Sequence, residues 1–568
     1  MNRTKPNKVQ QQNLRFAQDD SARANRTARI RITAVALALT LTACAVGPDY
    51  KRPSVVTTPT FKEQVDWKTA QPNVGAIRGN WWAIYNDPLL DELIRQVDAY
   101  NQTLVKAEAT YRESQALVEQ ARAALWPTIA TTNFGETRSK PSSTTIATPS
   151  AVIVSRGVAR NFDAPLTASW APDFFGGVRR QIEENEANAQ AAVGNYEVAR
   201  LLAEATLAQD YFQLRCIDAQ KKLYQDTIVA YRKSLLLTEN QYKVGVAAQA
   251  DVVNAKVQLK SAEAAAIDLD VLRRQLEHAI AVLTGKPPAN FTLPPAPLDM
   301  VPPPIPVGVP SDLLERRPDV SAAERQMASA NASIGVAKAA FFPAVTLSAS
   351  GGYQTAVPNL WFTTPSRFWS LGPSIAQTFF DGGLRTANTK NAIATYDAAI
   401  ANYRQTVLTA FQQIEDNLAA LHVLEDEAKM QDEAIKLSRQ AVTIALNQYK
   451  AGTVTYINVI TAQATDLTNE RAAFDILNRR MGASVLLVEY LGGGWDTLKL
   501  PDDKAIANDT FQPMPEVQPA FKPYIFSTPA NPPVPENPTD AASLPAPGNL
   551  PPPEKLSAPG EKIAPPKL

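Results

Sequence analysis

Residues Leu384 to Lys450 read LRTANTKNAIATYDAAIANYRQTVLTAFQQIEDNLAALHVLEDEAKMQDEAIKLSRQAVTIALNQYK, 67 residues with no glycine and no proline. Ala, Gln, Leu and Glu are abundant, all good helix formers, and nothing in the stretch breaks a helix. At 1.5 Å per residue it makes a rod about 100 Å long. Gly452 follows at once as a C-terminal stop, because glycine accepts the left-handed conformation that ends a helix, and a second helical stretch starts behind it. The reading is a long helical hairpin. Periodicity alone leaves open a solvent-exposed coiled-coil stalk.

The hairpin occurs twice. ENQYKVGVAAQADVVNAKVQL, from Glu239, lies over LNQYKAGTVTYINVITAQATDL, from Leu446, and pairs Tyr242 with Tyr449, Gly245 with Gly452 and Asp251 with Asn458 at one constant offset. DFFGGVRR at Asp173 matches FFDGGLRT at Phe379, and ARAALWPTIATT at Ala121 matches AKAAFFPAVTLS at Ala337, with a longer loop between these blocks in the first copy. The first long helix, Val178 to Lys243, is interrupted only by Gly194. Blocks in the same order in both halves make an internal duplication of roughly two hundred residues.

Between the helices of each copy lies a Ser/Thr/Gly-rich insertion with period-two alternation. In NFDAPLTASW the apolar positions are Phe162, Ala164, Leu166, Ala168 and Trp170; in AVTLSASGGY they are Val345, Leu347 and Ala349; in FWSLGPSIAQTF, Trp369, Leu371, Ile375 and Phe379 share a face. A strand around Thr128 to Thr137 alternates poorly. Alternating strands of about ten residues with aromatic ends fit a transmembrane β-barrel, with half-buried soluble strands as the alternative. Two strands per copy make four per chain, too few to close, so other copies must complete the barrel.

Composition agrees. Lys plus Arg and Asp plus Glu both number 56, so no charge excess points to nucleic acid or to a basic partner. No run of eighteen apolar residues exists, and a membrane crossing cannot rest on apolar helices. Eight Lys or Arg residues precede the apolar run Ile32 to Ala43, which is too short to span a bilayer and fits an export signal. Leu41-Thr42-Ala43-Cys44 resembles a bacterial lipobox, in which Cys44 becomes the lipidated N-terminus, and Ala45 at the next position is the residue type that goes with outer-membrane sorting. With Cys44 lipidated, Cys216 is alone and no internal disulfide forms.

These blocks, with WWAIYNDPLLDELI at Trp81, LLERRPDVSAAERQM at Leu313 and SLGPSIAQTFFDGGLR at Ser370, resemble the TolC-type outer-membrane efflux factors, specifically the lipoprotein branch serving tripartite pumps. The resemblance spans Cys44 to about Gly494. It implies a mixed α+β channel: a homotrimer whose twelve-stranded outer-membrane β-barrel continues into a periplasmic α-barrel of twelve helices. A periplasmic adaptor protein and an inner-membrane RND-type transporter are the implied partners, besides outer-membrane lipid. The organisation is then a signal peptide at 1–43, a first repeat at 44–310, a second at 311–500, and a Pro-rich tail at 501–568 without hydrophobic periodicity. A protein-secretion channel and a non-channel coiled-coil envelope lipoprotein are the rival readings.

The resemblance places the gate at the periplasmic tip. Tyr449 and Asp251 match positions that tie neighbouring hairpins, although Val454 stands where a related channel has the arginine partner. Relatives carry constriction-lining aspartates where Asn458 and Thr461 stand here. Asp251 also reads as a carboxylate complementing a helix start. Arg316-Arg317-Pro318-Asp319 reads structurally, with Pro318 opening a helix. His278 and His422 are far apart, the six methionines are dispersed, and Gly285-Lys286 lacks the rest of a phosphate loop, so neither metal, cofactor nor catalysis is expected.

Overall fold

The computed structural model describes residues 45–55, 60–64, 80–131, 134–139, 144–148, 151–155, 159–298, 300–305, 313–502 and 505–506, all within one compact unit, Met1–Gln518. Cys44 and nearly all of the Pro-rich tail lie outside these residues.

The first copy runs α1 (Pro88–Tyr100), α2 (Gln102–Ala123), β1 (Thr128–Thr131), β2 (Gly135–Ser139), β3 (Thr144–Thr148), β4 (Ala151–Ser155), β5 (Ala159–Trp170), α3 (Gly177–Lys243) and α4 (Gln249–Leu283). The second runs α5 (Leu313–Arg316), α6 (Pro318–Ala339), β6 (Ala344–Thr355), β7 (Arg367–Ala376), α7 (Leu384–Lys450) and α8 (Tyr456–Tyr490). Both long helices end where the glycines require: Gly245 and Gly452 take φ of 77° and 73°. Each long helix starts on a carboxylate. Asp173 accepts from the Val178 and Arg179 amides and from Arg179 Nε, and Asp381 accepts from the Gly383 and Arg385 amides and from Arg385 Nε.

Gly194, the one glycine inside α3, marks a close approach: a Cβ there would lie 2.9 Å from Ala322 Cβ on α6. Pro318 is the first residue of α6. Arg317 before it is buried, donates to the Tyr490 carbonyl (3.0 Å) and to Gln413 Oε1 (2.9 Å), and pairs with Asp319. The motif thus fastens the end of α8 to the start of α6.

The largest core sits halfway along the long helices. Trp81, Trp82 and Tyr85 of a short 3-10 turn, Leu90, Ile94 and Val97 of α1, Leu207, Phe212 and Leu214 of α3, Ile414 and Leu418 of α7 and Val485, Leu487 and Val488 of α8 meet there. Within it Glu204 accepts from Trp81 Nε1 (2.7 Å) and Arg200 Nε (2.9 Å), while Arg200 also pairs with Asp98. Pro501 and Ile506, at the head of the Pro-rich tail, are packed: Ile506 is buried against Val118 and Ala189, and Gln190 donates to the Pro501 carbonyl.

The main sheet has the order β1-β5-β6-β7, antiparallel throughout, with β2 also on β5. The expected first strand is two pieces. Thr131 pairs with Leu166 and Gly135 with Asp163, four steps against three, so the register shifts by one residue between the two pieces. Past it the alternation reverses, so Glu136 rather than Thr137 shares a face with Phe162. The four strands expected per chain are the four positions of the main sheet, the first filled by two pieces, β1 and β2, while β3 and β4 form a separate two-stranded hairpin in the longer loop of the first copy. Phe379 lies beyond the end of β7 rather than within it.

Candidate channel wall and gate

The register sorts the sheet into two unlike faces. One carries Ile129, Leu166, Ala168, Trp170, Val345, Leu347, Ala349, Trp369, Leu371 and Ile375; the other carries Thr128, Thr167, Ser169, Thr346, Ser348, Ser350, Ser370 and Ser374. On the apolar face Trp369 is 82% exposed, Leu371 75% and Ile375 69%. Aromatic side chains bound this face. Phe134, Phe162, Tyr353, Trp361 and Phe362 cluster at the end away from the helices, with Trp361 stacked on Phe362 at 4.8 Å. Trp126, Trp170, Phe342 and Phe379 stand at the helical end, where Phe175 stacks on Phe342 at 4.7 Å. From Phe162 to Trp170 the strand runs about 26 Å, close to the height of the apolar band of an outer-membrane barrel. Beyond the outer aromatics, Arg160 pairs with Glu136 at 3.5 Å. Among the described residues no helix is long and apolar enough to cross a membrane.

Ala45 and Val46 lie at the helical end of the sheet. Val46 donates to the Phe175 carbonyl, and Ala45 lies so close to Gly176 that an added Cβ would sit 2.7 Å from its Cα. The arm then descends along α3, α6 and α7: Arg180 pairs with Asp49, Asn331 donates to the Pro48 carbonyl, Tyr50 bonds to Glu324, and Arg52 donates to the Tyr403 hydroxyl.

At the far end, the tip is built on a small cluster: Ala255 of α4, Ala445 and Tyr449 of α7, Tyr456 and Val459 of α8. The predicted gate residues occupy unlike places in it. Tyr449 is buried, packs on Tyr456 with ring centres 5.1 Å apart and donates to Thr238 Oγ1 of α3 at 3.4 Å. Burial raises its phenol pKa above the usual range, and the nearby Asp251 carboxylate adds to that. The Asp251 carboxylate accepts from the Ala248 amide at 3.4 Å, the helix-start role open to it from the sequence. Asn458 and Thr461 are exposed on the face of α8 opposite Tyr456, Val459 and Gln463, and Thr461 Oγ1 bonds back to the Ile457 carbonyl.

Sequence reasoning missed Gln463 and Ser234. Both are buried and joined, Gln463 Nε2 to Ser234 Oγ at 3.2 Å, while Gln463 Oε1 accepts from Gln258 of α4 at 3.2 Å. The one available signal was a glutamine falling seven residues after Tyr456, on the buried stripe. His278 and His422 are exposed, and among the described residues no cluster of His, Cys, Asp and Glu could hold a metal.

A family model described as outer membrane efflux protein matches residues 93–286 and 309–493. The chain is 30% identical over 427 residues to the pyoverdine export outer membrane protein OpmQ of Pseudomonas aeruginosa, across 73% of this chain and 88% of the relative. It is 28% identical over 465 residues to the toluene efflux pump outer membrane protein TtgC of Pseudomonas putida, across 81% and 94%. The solved structure of the outer-membrane channel OprN superposes with a TM-score of 0.72 at 29% identity, over 80% of this chain and 100% of that one.

Proposed function

The chain belongs to the outer membrane efflux protein family, and on that premise we propose that it is the outer-membrane exit duct of a tripartite efflux pump, passing small molecules to the exterior without catalysing a reaction. The uncovered apolar sheet face between two aromatic bands carries this reading, because contact with lipid makes such a face favourable. In lipid the open edges of a lone sheet would leave backbone groups unpaired at several kcal/mol each. Three copies close twelve strand positions into one pore and set twelve hairpin helices below it. The exposed row Val423, Met430, Leu437 and Ile444 on α7, spaced by seven, and Val253, Val257, Ile267 and Val271 on α4 are suited to join copy to copy.

An adaptor and an RND-type transporter complete the pump. Pyoverdine and toluene, in the names of two relatives, share little chemistry, which supports a duct whose cargo is chosen upstream. Cys44 carries the lipid: Ala45 and Val46, the residues next to it in sequence, lie against Gly176 and Phe175 at the helical end of the sheet, which supports an anchor in the inner leaflet. The tip is the gate, with Tyr449 and Asp251 behind it and Asn458 and Thr461 on its open face. Both are uncharged and offer only dipoles, so trivalent cations block weakly from the periplasmic side.

Planar-bilayer recordings test the duct. Discrete conductance from a species that native mass spectrometry weighs as a trimer is the expected result; a conducting monomer or dimer, or a trimer without conductance, overturns it. Mass spectrometry of the mature N-terminus decides Cys44.

A further inference from the structure

The two ends of the apolar sheet face differ in charge. At the helical end, the arginines that follow the strands each have a carboxylate: Arg179 pairs with Asp173 and Arg385 with Asp381. At the outer end the balance is lost. On β5 every second residue shares the face of Phe162, so Arg160 stands on that face one side-chain position, about 7 Å, beyond it. Arg138 of β2 is the direct ladder partner of Arg160 and shares its face. Arg367 of β7 stands opposite Tyr353, on the face of Trp369 and Leu371. All three arginines are exposed. Among the described residues at this end, the carboxylate on the same face is Glu136, which pairs with Arg160 at 3.5 Å. Asp163 is on the opposite face, where it accepts from Asn161.

Like charges directly opposite each other on a strand pair repel, and one carboxylate does not offset three guanidinium groups. The place calls for an anion. It lies at and just outside the aromatic cluster of Phe134, Phe162, Tyr353, Trp361 and Phe362, the depth at which lipid headgroups take over from acyl chains. Guanidinium groups fit phosphate through paired N–H donors, so a phosphate between Arg138 and Arg160 turns their repulsion into a shared attraction. Arg367 is two strands away from Arg160, about 10 Å across the sheet, which is too far for one phosphate to serve all three. That spread suits a sugar headgroup phosphorylated at both ends better than a single phosphodiester.

We propose that Arg138, Arg160 and Arg367 form a binding site for a phosphorylated glycolipid of the outer leaflet: Arg138 and Arg160 share one phosphate of its headgroup, and Arg367 takes the other. This rests on the duct reading above, which turns the outer end of the sheet toward the exterior. Glu136 competes with the phosphate for Arg160 and so weakens the site. In the closed trimer the site occurs three times around the rim, and the bound lipids fix the height of the barrel in the membrane from outside.

The test titrates the full-length protein in detergent with bisphosphorylated lipid A and with the same lipid stripped of its phosphates, and reads bound lipid by native mass spectrometry. The unaltered protein is expected to retain the phosphorylated lipid at a roughly tenfold lower concentration. That preference should fall several-fold when Arg138→Gln is combined with Arg160→Gln, fall less in Arg367→Gln, and rise in Glu136→Gln, a gain that no folding defect produces. Arg232→Gln, on α3 far from the sheet, should leave it unchanged. Neither millimolar inorganic phosphate nor an equal amount of phosphatidylglycerol should displace the lipid. Equal retention of the two lipids, a preference that the double variant leaves untouched, no gain in Glu136→Gln, or displacement by either competitor overturns the site. Planar-bilayer conductance is recorded on the same samples. A protein that conducts without lipid preference loses the site alone; one that neither forms a trimer nor conducts overturns the duct and the site with it.

Discussion

The helices α3 and α7 have the same length, 67 residues, and occupy matching places in the two copies, yet 28 residues of α3 are buried and only 11 of α7. α3 is packed by α1, α2, α4, α6 and α8, while α7 meets mainly α6 and α8. The duplication made two equivalent rods, and their neighbours then divided the work. α3 became the scaffold of the protomer. α7 kept an apolar row open to the outside, with Leu437 67% and Met430 62% exposed.

The strongest way to break this comparison is to charge the open row. Met430→Glu with Leu437→Glu should abolish the trimer in native mass spectrometry while leaving helical circular dichroism intact, because the row supports assembly rather than the protomer. Phe212→Ala on α3 should do the reverse, costing about 3–5 kcal/mol of protomer stability through a core cavity. Trimers that survive the glutamates would place the row of α7 in the lumen or in solvent.

A smaller effect sharpens the scaffold half. Burial raises the pKa of the Glu204 carboxyl of α3 to about 8 from 4.5, against the opposing pull of Arg200, and Asp98 adds to the rise. The folded state then holds a proton that the unfolded chain releases. This contribution is complete below about 4.5 and is lost as pH rises toward about 8. Melting temperature in detergent should fall across that window, and Glu204→Gln should flatten the fall. An unchanged slope in the variant would mean that Glu204 is ionised in the folded protein.

Asn458→Asp should have the least effect on folding, within about 0.5 kcal/mol as for other exposed positions. Its signature is functional: stronger block by trivalent cations and greater cation selectivity in single-channel recordings. Tight block in the unaltered protein would mean that other carboxylates line the constriction.

The long helices were legible because punctuation decides them. Leu384 to Lys450 stands as read, and the first rod begins one residue earlier, at Gly177. The strands were legible where pairing is regular, since period two shows in the residues themselves. It failed around Thr128 to Thr137, where a one-residue shift in register between β1 and β2 changes the face partway along and no sequence period survives. The β3 and β4 hairpin was foreshadowed only as a longer loop. At the tip, the repeat made Tyr449 and Asp251 visible as counterparts of Tyr242 and Asn458. Gln463 escaped notice because a glutamine reads as surface until its partners are known, and Ser234 and Gln258 lie on two helices far away in the chain.

Helix length and strand alternation were determined by the sequence alone, because each depends on residues within a few positions of one another, and the twofold repeat shows when the two halves of the sequence are laid over each other. Only the tertiary structure decided that α3 is interior and α7 an edge, and that Gln463 of α8 meets Ser234 of α3 and Gln258 of α4. Those properties depend on which faces meet across hundreds of residues, and burial, which sets the strength of a polar contact, exists only once they have met.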